Sequence, residues 1–291
     1  MGQVHRASTI RAVLLLVLGA TVTQFSSIIA MQLFDDLGVL GTSGLRMALA
    51  AVVLLLVFRP KVRGRTMAEW LPIVAFGASM AAGNICIYFA IDRIPLGVAT
   101  TIDFLGPCIV ALFASRSVME GVLALVAFAG VVLIAGFGGP FDTLGLLFAG
   151  GAGLSFGLYT LLAVRVGKSI GGVSDVALAV LAAAVLTLPF SVPAGIAAEP
   201  GQWLMLLGSA ILGTAIPYSV DTLAGKLTSA RIVGVLFAFD PVVGTILGLL
   251  VLGQVISASA LVGMLLVILA GAGIVWFSGK DAESPDAFVG G

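Results

Sequence analysis

The chain has 291 residues, of which 60% are hydrophobic and 10% are charged, and its mean hydropathy is +1.22. Charged residues make up about a quarter of a typical soluble domain, so this composition excludes a water-soluble fold and predicts a membrane protein. The formal net charge is zero, which argues against a nucleic-acid partner.

Ten apolar blocks follow one another along the chain, each close to the roughly twenty residues that a helix needs to cross a bilayer. They lie at 11–33, 39–58, 70–91, 97–115, 119–137, 143–164, 174–193, 202–222, 231–252 and 258–277. The connections are too short to hold a soluble domain. We therefore expect an all-α membrane protein with ten transmembrane helices. The first block follows Arg6 and Arg11 as a signal peptide would, but its length and the polar Gln24 favour a retained helix.

The two halves of the chain resemble each other. A shift of 134 residues sets Ala81 on Ala215, Ala90 on Ala224 and Pro107 on Pro241, and it matches two whole hydropathy blocks around them. Such a duplication is typical of transporters whose site lies between the repeats. We predict one five-helix repeat at 1–138, a second at 139–278, and a disordered cytoplasmic tail at 279–291.

Lysine and arginine residues predict the orientation in the membrane. If the N-terminus is cytoplasmic, twelve of them lie in loops or termini on the cytoplasmic side of the membrane. Among the loop lysines and arginines, Arg93 alone lies on the outer side. The inside set is Arg6, Arg11, Arg59, Lys61, Arg63, Arg65, Arg116, Arg165, Lys168, Lys226, Arg231 and Lys280. Both termini are therefore expected in the cytoplasm. A repeat of five spans crosses an odd number of times, so we expect the two repeats to be inverted.

Apart from charged residues at the first or second position of a block, four charged residues lie within the predicted spans: Arg46, Asp103, Asp221 and Asp240. Each costs at least roughly 2.5 kcal/mol at the bilayer centre unless it is paired or solvated. Arg46 and Asp103 could form an ion pair. Alternatively they face a polar cavity, where the carboxylate and amine of a small zwitterion would find complementary charges.

Asp240 precedes Pro241 directly, and Asp103 precedes Pro107 by four residues. A proline within a helix frees a backbone carbonyl and loosens the turn before it. We therefore predict that Pro107 and Pro241 act as hinges and that Asp103 and Asp240 couple transport to protons. The alternative for Asp240 is a bond to Arg231 or Lys226 near the inner face.

Further polar side chains fall at matching depth in the spans. Asn84 and Tyr88 lie in the third span, and the 134-residue shift sets Asn84 on Tyr218 in the eighth. We predict that these three residues line the polar cavity together with Arg46 and Asp103 and contact the substrate there. Gln24 and Tyr159 are further candidates for the same substrate-binding lining. Asp221 is five residues before Lys226, so we expect it at the membrane interface instead.

Small residues are frequent in the sixth span, where Gly145, Gly153 and Gly157 are examples. They favour close helix packing, because apolar side chains alone give little drive for helices to associate in lipid. Cys86 and Cys108 have no metal-ligand or disulfide spacing. No metal and no cofactor is predicted.

Several segments together resemble a known superfamily. They are IPLGVATTIDFLGP from Ile94 to Pro107, ALFASR from Ala111 to Arg116, TAIPYS from Thr214 to Ser219, FDP from Phe239 to Pro241, and GLRMAL from Gly44 to Leu49. The chain resembles the drug/metabolite transporter superfamily with paired EamA domains. Within it, the chain is most similar to the threonine and homoserine exporters of the inner membrane.

This resemblance implies two inverted five-helix repeats around a central cavity, in the bacterial inner membrane, and proton-driven export of amino acids or similar metabolites. The exporter pattern tends to have Glu before the two prolines, where this chain has Asp103 and Asp240. The expected partners are a small-molecule substrate, protons and membrane lipid. Whether the chain forms a homodimer is left open.

Three other functions remain as alternatives. A broader exporter of drugs or nucleotide-type metabolites belongs to the same superfamily, but a single Arg in the spans would neutralise a polyanion poorly. A membrane enzyme acting on lipid would gather His, Asp or Glu at the interface, whereas the one histidine here is His5. A passive channel would lack coupling to an ion gradient. We therefore expect a transporter and no enzyme.

Overall fold

Apolar sequence of this kind folds into helices because lipid offers no hydrogen-bond partner to the backbone. The computed structural model of the chain describes residues 18–113, 118–135, 142–227, 237 and 239–281. Within these ranges all regular secondary structure is helical. The α-helices are α1 (Leu18–Met31), α2 (Phe34–Phe58), α3 (Met67–Ile91), α4 (Leu96–Phe113), α5 (Val118–Ala135), α6 (Thr143–Gly167), α7 (Asp175–Ala197), α8 (Pro200–Ala210), α9 (Ile216–Leu227), α10 (Phe239–Leu250) and α11 (Ala258–Asp281).

Every predicted apolar block contains one of these helices. The eighth block is one continuous helical segment, in which the π-helix Ile211–Ala215 joins α8 to α9. Five helical segments are long and apolar enough to cross a membrane: Phe34–Phe58, Met67–Ile91, Thr143–Gly167, Gly172–Ala197 and Pro200–Ala224. The all-helical membrane class is therefore confirmed, and the count of ten spans stays a prediction.

Helix α2 is interrupted near its start. Gly38 has φ 71° and ψ 158°, a left-handed conformation that glycine adopts without a Cβ clash. The break separates the acidic turn at Asp35 and Asp36 from the apolar part of the helix. That apolar part begins where the predicted second span begins, at residue 39.

The helices pack in a regular set of pairs. The most extensive contacts are α2 with α7, α5 with α11, and α3 with α6, followed by α4 with α6, α3 with α7, and α4 with α10. Hydrogen bonds join α1 to α8, because the Ser26 hydroxyl contacts the Ser209 carbonyl at 2.8 Å and the Ser209 hydroxyl at 3.0 Å. Helices from the first half of the chain therefore pack mainly against helices from the second half.

Glycines bring α4 and α6 into backbone contact. A Cβ on Gly106 would collide with the carbonyl oxygen of Gly153, and a Cβ on Gly153 would lie 3.1 Å from the Ile102 carbonyl oxygen. Gly157 packs against the backbone of Gly106 in the same way. The expectation of small-residue packing in the sixth span is confirmed at these positions, whereas Gly150 has nothing within 4 Å of its Cβ position.

A buried ion pair ties the α2–α3 connection to the start of α7. The Arg65 guanidinium donates to both carboxylate oxygens of Asp175, at 2.5 Å and 3.0 Å, and Asp175 is 1% exposed. These hydrogen bonds raise the pKa of Arg65. At another connection, the Gln202 amide donates to Asp36 at 2.7 Å and ties the start of α8 to α2. Both contacts join the two halves of the chain.

The two prolines at the centres of apolar blocks lie at different places in their helices. Pro107 lies within α4, whereas α10 begins at Phe239 and Pro241 lies in its first turn. A proline there costs little, because the first N–H groups of a helix have no intrahelical partner. Helix α11 extends to Asp281, three residues into the predicted tail, and 282–291 lie outside the described residues.

Gly106→Ala should destabilise the protein by about 1–3 kcal/mol, because the new methyl group forces α4 away from α6. The matched control is Gly150→Ala on α6, which adds its methyl group in open space and should gain up to about 1 kcal/mol from helix propensity. The unfolding midpoint of the purified protein in detergent micelles measures both. Equal midpoints for the two variants would contradict the close packing.

Arg65→Met should cost roughly 3 kcal/mol, because it removes the cationic partner of the buried Asp175 carboxylate and leaves it the Ser169 hydroxyl. Arg63→Met removes a neighbouring exposed arginine and should leave the unfolding midpoint nearly unchanged. The same denaturation measurement compares the two variants. A similar midpoint for both would show that the ion pair contributes little.

Candidate functional site

A cavity of about 130 Å³ lies between helices of both halves of the chain. Its lining comes from α1, α2, α3, α4, α6, the π-helix, α9 and α10. All seven residues that we predicted to contact substrate line it: Gln24, Arg46, Asn84, Tyr88, Asp103, Tyr159 and Tyr218. The predicted proton-coupling residue Asp240 lines it as well. Pro107 and Pro241 are buried but are not part of the lining.

Arg46 is 1% exposed, although its side chain carries a charge. Its Nη2 donates to the Thr214 hydroxyl at 3.2 Å, and its guanidinium carbon lies 5.0 Å from the centre of the Tyr88 ring. Among the residues that the structure describes, its Nε and Nη1 have no hydrogen-bond partner. The ion pair with Asp103 is not formed: in the described part of the chain, the salt bridges join Arg65 to Asp175, and Arg93 to Asp92 and Asp142.

The π-helix places the groups that surround Arg46. A π turn widens the helix by one residue and is frequent at functional sites. It carries Thr214, whose hydroxyl contacts Arg46, and Gly213, where a Cβ would collide with Arg46 Nη2 and with Ser26 Oγ. Glycine at this position therefore leaves the space that the guanidinium occupies.

Asn84 and Tyr88 lie one turn apart on α3, so they face the cavity together. The Ser43 hydroxyl donates to Asn84 Oδ1 at 2.7 Å. The Tyr88 hydroxyl is buried and has no hydrogen-bond partner within the described ranges. The Tyr88 ring packs against Phe34, with centroids 5.2 Å apart. The α2–α3 side of the cavity thus combines one cation with neutral hydrogen-bonding groups.

Three carboxylates line the same cavity. Asp103 lies on α4, Asp240 on α10 and Asp221 on α9. The Gln24 side chain hydrogen-bonds Asp240. No ion pair joins Asp240 to Lys226 among the described residues, and Arg231, the other alternative partner, lies outside them.

The expectation that Asp221 lies at the membrane interface is wrong. Asp221 is 8% exposed, lines the cavity and accepts a hydrogen bond from the Tyr159 hydroxyl at 2.7 Å. Its distance from Lys226 along the chain suggested the interface. Its spacing from Pro217 and Tyr218, at i+4 and i+3, would have placed it correctly, because residues at these spacings share one helix face.

Aromatic rings form the wall beside Asp221. Tyr159 contacts Tyr218 and Phe156, with centroids 5.4 Å and 5.7 Å apart, and Phe156 contacts Phe237 at 4.6 Å. No sequence pattern distinguishes Phe156 or Phe237 from the other phenylalanines of the chain, which has 17 in total. The hydroxyl residues that line the cavity were missed for the same reason, since serine and threonine also occur at packing positions: Thr23, Ser27, Ser79, Thr100 and Ser155.

The described residues contain no cluster of His, Cys, Asp and Glu that could hold a metal ion. Cys86 and Cys108 are both free thiols. The described lining of the cavity offers binding by charge and hydrogen bonds, through one guanidinium and three carboxylates.

Comparison with known proteins assigns the family. The profile of the EamA-like transporter family matches residues 10–137 and again residues 143–276. The chain belongs to the EamA-like transporter family. The resemblance seen in the sequence motifs is therefore confirmed.

Named relatives of this EamA-family chain are transporters. The chain is 31% identical over 281 residues to the threonine/homoserine exporter RhtA of Escherichia coli K12, covering 93% of each chain. It is 30% identical to the Salmonella typhimurium LT2 exporter of the same name, covering 90% of each. An uncharacterized transporter of Bacillus subtilis, YvbV, is 25% identical, over 78% of this chain and 79% of that one.

A crystal structure with 20% sequence identity superimposes on the chain with a TM-score of 0.65, covering 96% of this chain and 99% of that chain. At this identity the likeness concerns the fold alone.

Gly213→Ala should displace the Arg46 guanidinium and destabilise the protein by about 1–3 kcal/mol, because the added methyl group occupies the space of Nη2. Gly208→Ala, five residues earlier on α8, has nothing within 4 Å of the new methyl group and should be neutral or slightly stabilising. Unfolding midpoints in micelles measure the difference. A stable Gly213→Ala variant would show that Arg46 does not depend on this glycine.

Proposed function

We propose that the protein is a secondary transporter of the bacterial inner membrane that exports small polar metabolites, in the first place amino acids such as threonine or homoserine. The observation that carries the proposal is the cavity in which one guanidinium and three carboxylates face each other between apolar helices. Charges at such positions in a membrane protein mark a substrate or ion pathway. The 31% identity to a threonine/homoserine exporter supports the same substrate class.

We infer further that the chain consists of two inverted repeats, at 1–138 and 139–278. The family profile matches twice, at 10–137 and 143–276. Three extensive helix pairs would be pairs of equivalent helices: α2 with α7, α4 with α10, and α5 with α11. The pairing of α3 with α6 would have its counterpart in the α1–α8 contact at Ser26 and Ser209. A two-fold axis in the membrane plane would relate these contacts.

With this arrangement, the Lys and Arg distribution favours cytoplasmic termini. Alternating access would rock one repeat against the other around the cavity, with Pro107 and Pro241 as hinges. The Arg65–Asp175 and Gln202–Asp36 contacts join the halves at two different connections. Opening either side of the cavity would require the contact on that side to separate.

Proton coupling would use the carboxylates of the cavity. Asp103 and Asp240 are the proposed coupling residues, and the structure adds Asp221 beside them. A carboxylate that binds either a proton or the ammonium group of the substrate makes the two compete for one place. With an inward proton gradient and alternating access, such competition would couple outward movement of the substrate to inward movement of protons.

A broader exporter of drugs or nucleotide-type metabolites would use the same fold. The cavity disfavours a polyanion, because Arg46 is the one cation among the described residues that line it. A zwitterion carries one charge of each sign and matches the cavity better. Asp103 and Asp240 stand where the exporter pattern tends to have Glu. Each of these two side chains is therefore one methylene shorter than in that pattern.

The purified protein in proteoliposomes should transport labelled threonine or homoserine, and an imposed pH gradient should accelerate the flux. Asp103→Asn and Asp240→Asn should each lose the gradient-driven part, because the amide cannot exchange a proton. Asp92→Asn, an exposed residue outside the cavity, is the matched control and should transport like the wild type.

The outcomes separate the alternatives. No transport of either amino acid would end the assignment of this substrate. Flux that is insensitive to the pH gradient, in the wild type and in both variants alike, would favour a passive channel.

A further inference from the structure

Arg46 is a buried charge whose hydrogen bonds are incomplete. In the part of the chain that the structure describes, its Nε and Nη1 have no partner, and its Nη2 donates to a neutral hydroxyl, that of Thr214. The Tyr88 hydroxyl is also buried and has no partner among these residues. Leaving a buried donor unsatisfied costs about 1–3 kcal/mol, and more for a charged group. Two open guanidinium nitrogens at a cavity wall therefore indicate a place for an acceptor that none of the described residues supplies.

The chemistry of the guanidinium defines that acceptor. A guanidinium forms its strongest hydrogen bonds with a planar anion that has two oxygens, above all a carboxylate. Arg46 supplies a single positive charge, and the other charged residues that the structure describes in the lining are carboxylates. A phosphate dianion would therefore keep uncompensated charge among three acidic groups. A monocarboxylate fits the site.

The surroundings of Arg46 restrict how such a carboxylate can bind. The Tyr88 ring covers the guanidinium at 5.0 Å, and Thr214 holds Nη2 at 3.2 Å. Gly213 and the Ser26–Ser209 contact fix the π-helix that carries Thr214. The guanidinium is thus held at one place and oriented before any ligand arrives, which lowers the entropy lost on binding.

We propose that Arg46, Thr214 and the Tyr88 hydroxyl form a subsite for the carboxylate group of the substrate, and that the π-helix positions it. This inference rests on the proposed function and assigns one end of the substrate within it. The ammonium group then faces the acidic part of the cavity, formed by Asp103, Asp221 and Asp240. Thr214 is a specificity-determining residue, because its hydroxyl orients the guanidinium.

The direct test compares two ligands that differ at one group. L-threonine and L-threoninamide share the ammonium and hydroxyl groups, but the amide lacks the charge that Arg46 would bind. Calorimetry on the purified wild-type protein should show affinity for threonine at least roughly thirtyfold higher than for threoninamide, as expected when one partner of a buried charge pair is removed. Thermal shift gives an independent reading of the same difference.

Variants identify the residues responsible. In Arg46→Gln the preference for threonine over threoninamide should disappear, and Arg46→Lys should retain part of it, because lysine keeps the charge without the fork of donors. Thr214→Val should weaken threonine binding with less effect on threoninamide, and Thr214→Ser should restore it. Arg93→Gln removes an exposed arginine outside the cavity and should bind like the wild type.

The ligand comparison needs no variant, so it decides the question even if Arg46→Gln does not fold. Equal affinity of the wild type for threonine and threoninamide, or an unchanged preference in Arg46→Gln, would overturn the subsite while leaving threonine transport intact.

A second ligand pair, lactate and lactamide, carries no ammonium group. Lactate should stabilise the wild type in the thermal-shift assay more than lactamide does, and Arg46→Gln should lose this difference. If threonine does not bind in the same assay, this result would support the subsite and reject amino acids as the substrate. A wild type that prefers neither carboxylate to its amide would overturn the subsite whatever the transport assay shows.

Discussion

The burial of one guanidinium within an apolar bundle is the constraint on which the rest of this structure depends. Arg46 lies on α2 with 1% exposure, and a charge at such a position must be solvated by the protein or by what the protein binds. The guanidinium is surrounded by the Thr214 hydroxyl, the Tyr88 ring and a polar cavity. These groups come from α3 and the π-helix, so the position of Arg46 depends on both halves of the chain.

Small residues make this arrangement possible, because they let helix backbones approach each other. At Gly106 and Gly153 the backbones of α4 and α6 are in contact, and Gly153 lies against the carbonyls of Ile102 and Asp103. The backbone that carries the Asp103 carboxylate is therefore fixed by α6. At Gly213 the missing side chain leaves room for Arg46. The same residue type thus sets the helix packing and the geometry of the charged groups.

The cavity separates charges that would otherwise neutralise each other. Arg46 interacts with neutral groups, while Asp240 is held by Gln24 and Asp221 by Tyr159. A direct ion pair between Arg46 and Asp103 would have satisfied both groups and left little for a ligand to bind. Their separation keeps a positive group and an acidic region available in one cavity, which suits a small zwitterion and underlies the proposed export of amino acids.

The sequence alone determined the membrane class, the positions of the apolar helices and eight of the residues that line the cavity, because hydropathy and the cost of intramembrane charge act locally along the chain. Arg46 and Asp103 could be chosen in this way, since so few ionisable residues lie in the spans. The tertiary structure decided how these residues are combined. Arg46 binds Thr214 and leaves Asp103 unpaired with it, Asp221 faces the cavity, and Pro241 lies in the first turn of α10. These outcomes depend on a π turn and on glycine contacts between distant helices, and no pattern within one span specifies which helix lies beside it.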